Sequence, residues 1–158
     1  MKQILYTLFC SIIIVGTVSC GSRGKKNDND GLTRGEKKAI ETIASSYSDK
    51  VEIKDDNLIR STKNVSVTTV TTYHFENGKC TSVKVKAETA NKQQAQEFFE
   101  LLKESRSDVF LNLKLDGKVV TYNHAPALLS IYSKLSIEEL RDQIQKEIDI
   151  AKEAMKNL

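Results

Sequence analysis

The clearest regularity in the chain is an alternation of period two that begins near Val65. Val65, Val67, Thr69, Thr71, Tyr73 and Phe75 share one face, while Ser66, Thr68, Val70, Thr72 and His74 share the other. Successive strand side chains point to opposite faces, so this spacing predicts a half-buried β-strand. Asn77-Gly78 follows, a pair that tolerates positive φ at both positions and so predicts a two-residue hairpin turn. The return strand sets Val83, Val85 and Ala87 inward against Lys84, Lys86 and Glu88 outward. One apolar and one polar face on consecutive strands implies an antiparallel sheet covered on a single side.

Upstream, a shorter strand reading starts near Val51, pauses at Asp55-Asp56 and resumes over Leu58 to Arg60. Downstream the period changes. Asn91 and Gln94 suit a helix start, and Ala95, Phe98, Phe99 and Leu102 make a bulky apolar stripe. A second hairpin runs from Val109 to Leu115, turns at Asp116-Gly117 and returns over Lys118 to Tyr122. Ala125-Pro126 opens a short apolar segment, a helical turn or two, ending near Tyr132. Ser136 and Glu139 then form a capping box, and a long helix is expected toward Asn157. Ile137, Leu140, Ile144, Ile148, Ala151 and Met155 line one side of it, and Asp142 stands one turn from Lys146, close enough to pair. A further helix is expected after the Thr33–Glu36 capping box, with Ala39, Ile40, Ile43, Ala44 and Tyr47 on one face.

Hairpins separated by helices predict the α+β class: an antiparallel sheet with helices packed on one face and a long C-terminal helix. Composition agrees with an ordinary folded domain, since 39% of residues are apolar, 28% are charged and there is one proline. A net charge of +3 without a clustered basic motif gives no reason to expect nucleic-acid binding.

The N-terminus carries a different pattern. Lys2 precedes an uncharged, mostly apolar run from Ile4 to Val15, and small residues gather at Gly16, Thr17 and Ser19. This order describes an export signal, and the run is short for a membrane-spanning helix of about 20 residues. Thr17-Val18-Ser19-Cys20 resembles the lipobox of bacterial lipoproteins. That resemblance implies cleavage between Ser19 and Cys20, a diacylglyceryl group on the Cys20 thiol, and a lipid bilayer as partner through the acylated cysteine. It further implies the cell envelope, and the outer membrane if the host is Gram-negative, because Gly21 rather than Asp follows Cys20. Two other readings compete: ordinary signal cleavage at the same place, with Thr17 and Ser19 as its small residues, or retention of the segment as an anchor.

The expected organisation is a signal over residues 1–19, a lipidated cysteine and flexible tether over 20–33, and one α+β domain over 34–158. Gly21 to Gly31 has no apolar residue and no periodicity, which suits a tether. Asp28 and Asp30 faintly suggest a calcium loop, but Lys26 and Lys37 occupy positions that need carboxylates. With Cys20 acylated, Cys80 has no disulfide partner and is expected to be a structural or inert thiol; with ordinary cleavage a Cys20–Cys80 disulfide becomes possible in an oxidising compartment.

No catalytic or metal-binding constellation is legible, and no cofactor is expected. His74 and His124 are read as a polar-face residue and a loop residue before Pro126. Asp55-Asp56 is read as a strand-end turn and Glu138-Glu139 as an acidic helix start. The Thr-rich stretch Val67 to Thr72 would suit an edge strand that pairs with a partner protein, and the last helix would suit docking. For each, packing within the domain is the plainer reading, as it is for Tyr73, Phe98 and Phe99. The expectation is an envelope lipoprotein acting by binding, scaffolding or inhibition, with an envelope protein as its partner. The rival expectations are a small hydrolase with a spatially assembled site and a periplasmic ligand carrier.

Overall fold

The computed structural model describes residues 45–105 and 109–156, together with Gly35, Lys38 and Thr42. Strand β1 (Ser48–Lys54) turns through Asp55, whose φ is 53°, into β2 (Asn57–Lys63). Next come β3 (Val67–Glu76) and β4 (Lys79–Thr89), joined by Asn77 and Gly78, both at positive φ. Helix α1 (Lys92–Ser105) leads to β5 (Phe110–Asp116) and β6 (Val119–His124), and then to α2 (Pro126–Tyr132) and α3 (Ile137–Lys156). The strands form one antiparallel sheet in the order β1-β2-β3-β4-β6-β5. The protein is therefore α+β, with the long C-terminal helix in place.

The register explains which face is covered. Leu58, Tyr73 and Val83 lie opposite one another across β2, β3 and β4, and the same face continues through Val85–Tyr122 and Ala87–Val120. Leu140, Ile144 and Ile148 of α3 pack on Leu58, Tyr73, Phe75, Cys80 and Val83. Ala95 and Leu102 of α1 pack on Val120, flanked by Phe98, Phe99, Phe110, Leu115 and Tyr122. Helices α1, α2 and α3 thus sit on one side of the sheet, and each fully buried aliphatic side chain stabilises it by about 1.5–3 kcal/mol.

Two bulges change the parity of the alternation. The β3–β4 register shifts between His74 and Phe75, leaving Thr81 without an opposite residue and turning Cys80 inward beside Phe75. Strict alternation from Val83 would have turned Cys80 outward. In the β5–β6 pair the register shifts between Leu111 and Lys114, where Asn112 has φ 55°, so Phe110 and Leu115 both face the core.

Several sequence expectations are corrected. Val65 is 52% exposed and outside β3, because Asn64 turns the chain there and its Oδ1 accepts hydrogen bonds from the Ser66 and Val67 amides. The Val67–Thr72 stretch, by contrast, follows its plainer reading and packs within the sheet: β3 lies between β2 and β4, β2 pairing with Thr68–His74 and β4 with Val67–Glu76. Asp142 accepts from Arg141 at 2.7 Å instead of pairing with Lys146. Gly35, Lys38, Thr42, Ser45 and Ser46 are helical, while the rest of the stripe from Ala39 to Ala44 lies outside the described residues.

Candidate functional site

Two polar constructions are built into the covered face. The first centres on Asp49, whose side chain is fully buried. Thr62 stands directly opposite it on β2 and Arg60 lies one pleat along, so both reach it across the strand pair. Its carboxylate accepts hydrogen bonds from Arg60 Nη2 at 2.7 Å, Arg60 Nε at 3.2 Å, Thr62 Oγ1 at 3.1 Å and Tyr47 OH at 3.1 Å. Arg60 Nη1 then donates to Glu147 Oε2 of α3 at 3.1 Å. Burial alone would lower the Arg60 pKa, but the hydrogen bonds and charge of Asp49 outweigh it and hold the guanidinium above its ordinary value. Burial, reinforced by the neighbouring carboxylate, pushes the Tyr47 phenol up to about 12.

The second construction is a file of rings. Phe110 meets Tyr122 edge-on at 5.0 Å, Tyr122 stacks on His124 at 6.1 Å, His124 stacks on Tyr132 at 6.2 Å, and Tyr132 meets Tyr73 edge-on at 5.2 Å. The file runs from β5 across β6 and α2 to β3. His124 is not in a loop, as the sequence reading had it. It ends β6 in phase with Val120 and Tyr122 and turns inward, and its Nδ1 is buried without a hydrogen-bond partner among the described residues. Burial lowers its pKa to about 4, so the ring is neutral at physiological pH. The same desolvation raises the Tyr73 and Tyr132 phenols. It also raises the Cys80 thiol, which donates to the Ser82 carbonyl at 3.7 Å and is poorly suited to nucleophilic work.

The residues singled out in the sequence are placed as follows. His74 lies on the open face of β3, its Nδ1 3.0 Å from Asn57 Oδ1 and its Nε2 3.2 Å from Glu76 Oε1. Asp55-Asp56 forms the β1–β2 turn, and Glu138 and Glu139 occupy the first turn of α3. Among the described residues, no hydrogen bond or ring contact joins any of these to His124. Cys20 and Ser19 lie outside the described residues. Among the described residues, no three His, Cys, Asp or Glu side chains gather to hold a metal ion, and no helix is long and apolar enough to cross a membrane. A shallow groove of about 260 Å³ runs beside α3, lined by Leu135, Glu139, Asp142, Gln143 and Lys146.

Sequence reading missed both constructions. Asp49 lies before the strand expected from Val51, and only the β1–β2 register reveals that it faces Thr62. His124 carried a signal: it continues the parity of Val120 and Tyr122 by one further step. No protein-family model, curated protein or solved structure matches the chain.

Proposed function

We propose that the chain is a lipid-anchored lipoprotein of the bacterial envelope whose α+β domain works by binding, scaffolding or inhibiting an envelope partner. The observation that carries it is the run Thr17-Val18-Ser19-Cys20 behind an apolar segment with a single leading Lys2. Two or three acyl chains on one cysteine hold firmly, because each buried methylene contributes about 0.8 kcal/mol. The chemistry of the folded part supports binding over hydrolysis. The fully buried Asp49 and the half-buried Arg60 satisfy one another, and the half-buried His124 is stacked between tyrosines.

Crosslinking in living cells, followed by affinity capture and mass spectrometry, tests the reading against the Cys20→Ser variant. An acylated N-terminal Cys20 peptide and a saturable envelope partner lost in the variant are expected. An unmodified Cys20 sinks the lipoprotein assignment. Saturable turnover by the purified protein, abolished by one substitution without unfolding, sinks the binding assignment.

A further inference from the structure

The helices cover one face of the sheet, and the strand register orders the other face into rows. One row reads Lys50, Ser61, Val70, Lys86, Thr121 and Lys114, with no carboxylate in it. The neighbouring row adds Lys84, and the flanking rows add Lys54 and Lys63. Three carboxylates share these rows with the lysines: Glu52, Glu88 and Asp116. Glu88 is already taken, because Lys118 holds it at 2.6 Å and lowers its pKa. Lys50, Lys84, Lys86 and Lys114 are exposed, and none forms an ion pair among the described residues. The helical side has the opposite balance. Helices α1 and α3 together carry nine carboxylates and six basic side chains.

We propose that the open face of the sheet rests on an anionic lipid surface. Lys50, Lys84, Lys86 and Lys114 take headgroup phosphates there, and the acidic helices turn toward solvent. The lysines come from β1, β2, β4 and β5, so they span the six-stranded sheet from edge to edge, a width of roughly 25 Å, and are not focused in a cleft. That distribution fits a continuous sheet of negative charge better than a single bound anion. Ile59, Val70 and Val119 lie among the lysines only partly covered, as suits contact with an interfacial region. The inference rests on the lipid-anchor reading. An acylated Cys20 would keep β1 within roughly 100 Å of the bilayer at full stretch, so a modest attraction per lysine suffices to orient the domain.

The test uses the full chain, reconstituted into phosphatidylcholine vesicles with and without about 30 mol% phosphatidylglycerol, and an amine-reactive label read by peptide mass. Lys84 and Lys86 are expected to label roughly 3- to 5-fold more slowly on the anionic vesicles, with Lys146 and Lys152 of α3 unchanged and high salt erasing the difference. The variant Lys84→Glu with Lys86→Glu should lose protection at Lys50 and Lys114. Lys84→Ala with Lys86→Ala should lose part of it, with unfolding temperature as the control for folding in both. Equal labelling on the two vesicles, equal protection of the α3 lysines, or protection that survives charge reversal overturns the proposal. The N-terminal peptide in the same digest reads the anchor separately. Face-specific protection with an unmodified Cys20 keeps the docking and overturns the anchor. An acylated Cys20 with equal labelling does the reverse.

Discussion

At the scale of single residues, the Asp49–Arg60 pair has the largest energetic stake. A buried carboxylate is tolerable only while its donors stay in place, because removing one partner leaves the other desolvated and unpaired. Arg60 supplies both the countercharge and two of the donor nitrogens, in a fork that lysine does not reproduce. Arg60→Met is therefore expected to destabilise the domain by about 3–5 kcal/mol in urea unfolding. Arg60→Lys should recover only part of that loss. Adding Asp49→Leu to Arg60→Met should recover much of it, since the fully buried carboxylate is gone and the Glu147 carboxylate that also loses Arg60 is partly exposed to water. If the double replacement is as unstable as the single, the pair matters through packing and not charge. Tyr47→Phe removes one of the donors to Asp49 and should cost about 1 kcal/mol by the same measurement.

Among the elements, the ones legible in advance are those whose local chemistry and tertiary role agree. Helix α3 starts where its capping box said it would: the Ser136 amide donates to Glu139 Oε2 at 2.8 Å, and the Glu139 amide donates to Ser136 Oγ at 3.2 Å. Ser136→Ala should accordingly lower stability by about 1 kcal/mol, read from the thermal midpoint. The β3–β4 hairpin was equally readable, because Asn77 and Gly78 both adopt positive φ. Nothing within 4 Å would meet a Cβ at Gly78, so Gly78→Ala is expected to cost about 1 kcal/mol through backbone strain alone. What stayed hidden follows from register. A bulge reverses the parity of everything beyond it, so alternation read from Val83 missed that Cys80 faces the core. Likewise, no local pattern says that Val67–Thr72 gains a neighbour on each side. That depends on Leu58 finding Tyr73 and on Thr71 finding Val85, contacts set by the whole sheet. The candidate site was the least legible part, because Asp49, Arg60 and Glu147 meet only once α3 lies against β1 and β2.

At the scale of the whole molecule, the apolar interior of the described residues falls into two clusters, one beneath α3 and one beneath α1, and the ring file connects them. Tyr122 packs with the α1 cluster, Tyr132 packs with the α3 cluster, Tyr73 belongs to it, and His124 stands between them. The junction therefore contains a titratable group whose folded pKa is about 4 against an unfolded value of 6.5. Burial depresses the pKa, so in that interval the unfolded chain binds the proton more readily than the folded one, and stability rises with pH. The contribution of the neutral ring is complete above about pH 6.5, is lost as pH falls toward 4, and does not change further below that. The loss amounts to at most about 3 kcal/mol. Urea unfolding at a series of pH values should show this slope, superimposed on the acid sensitivity of the carboxylates. His124→Phe keeps a ring in the file and removes the proton site, so its stability should vary less between pH 6.5 and 4 than that of the parent. If the two profiles run parallel, His124 titrates normally and the ring is more open to water than its packing between Tyr122 and Tyr132 implies.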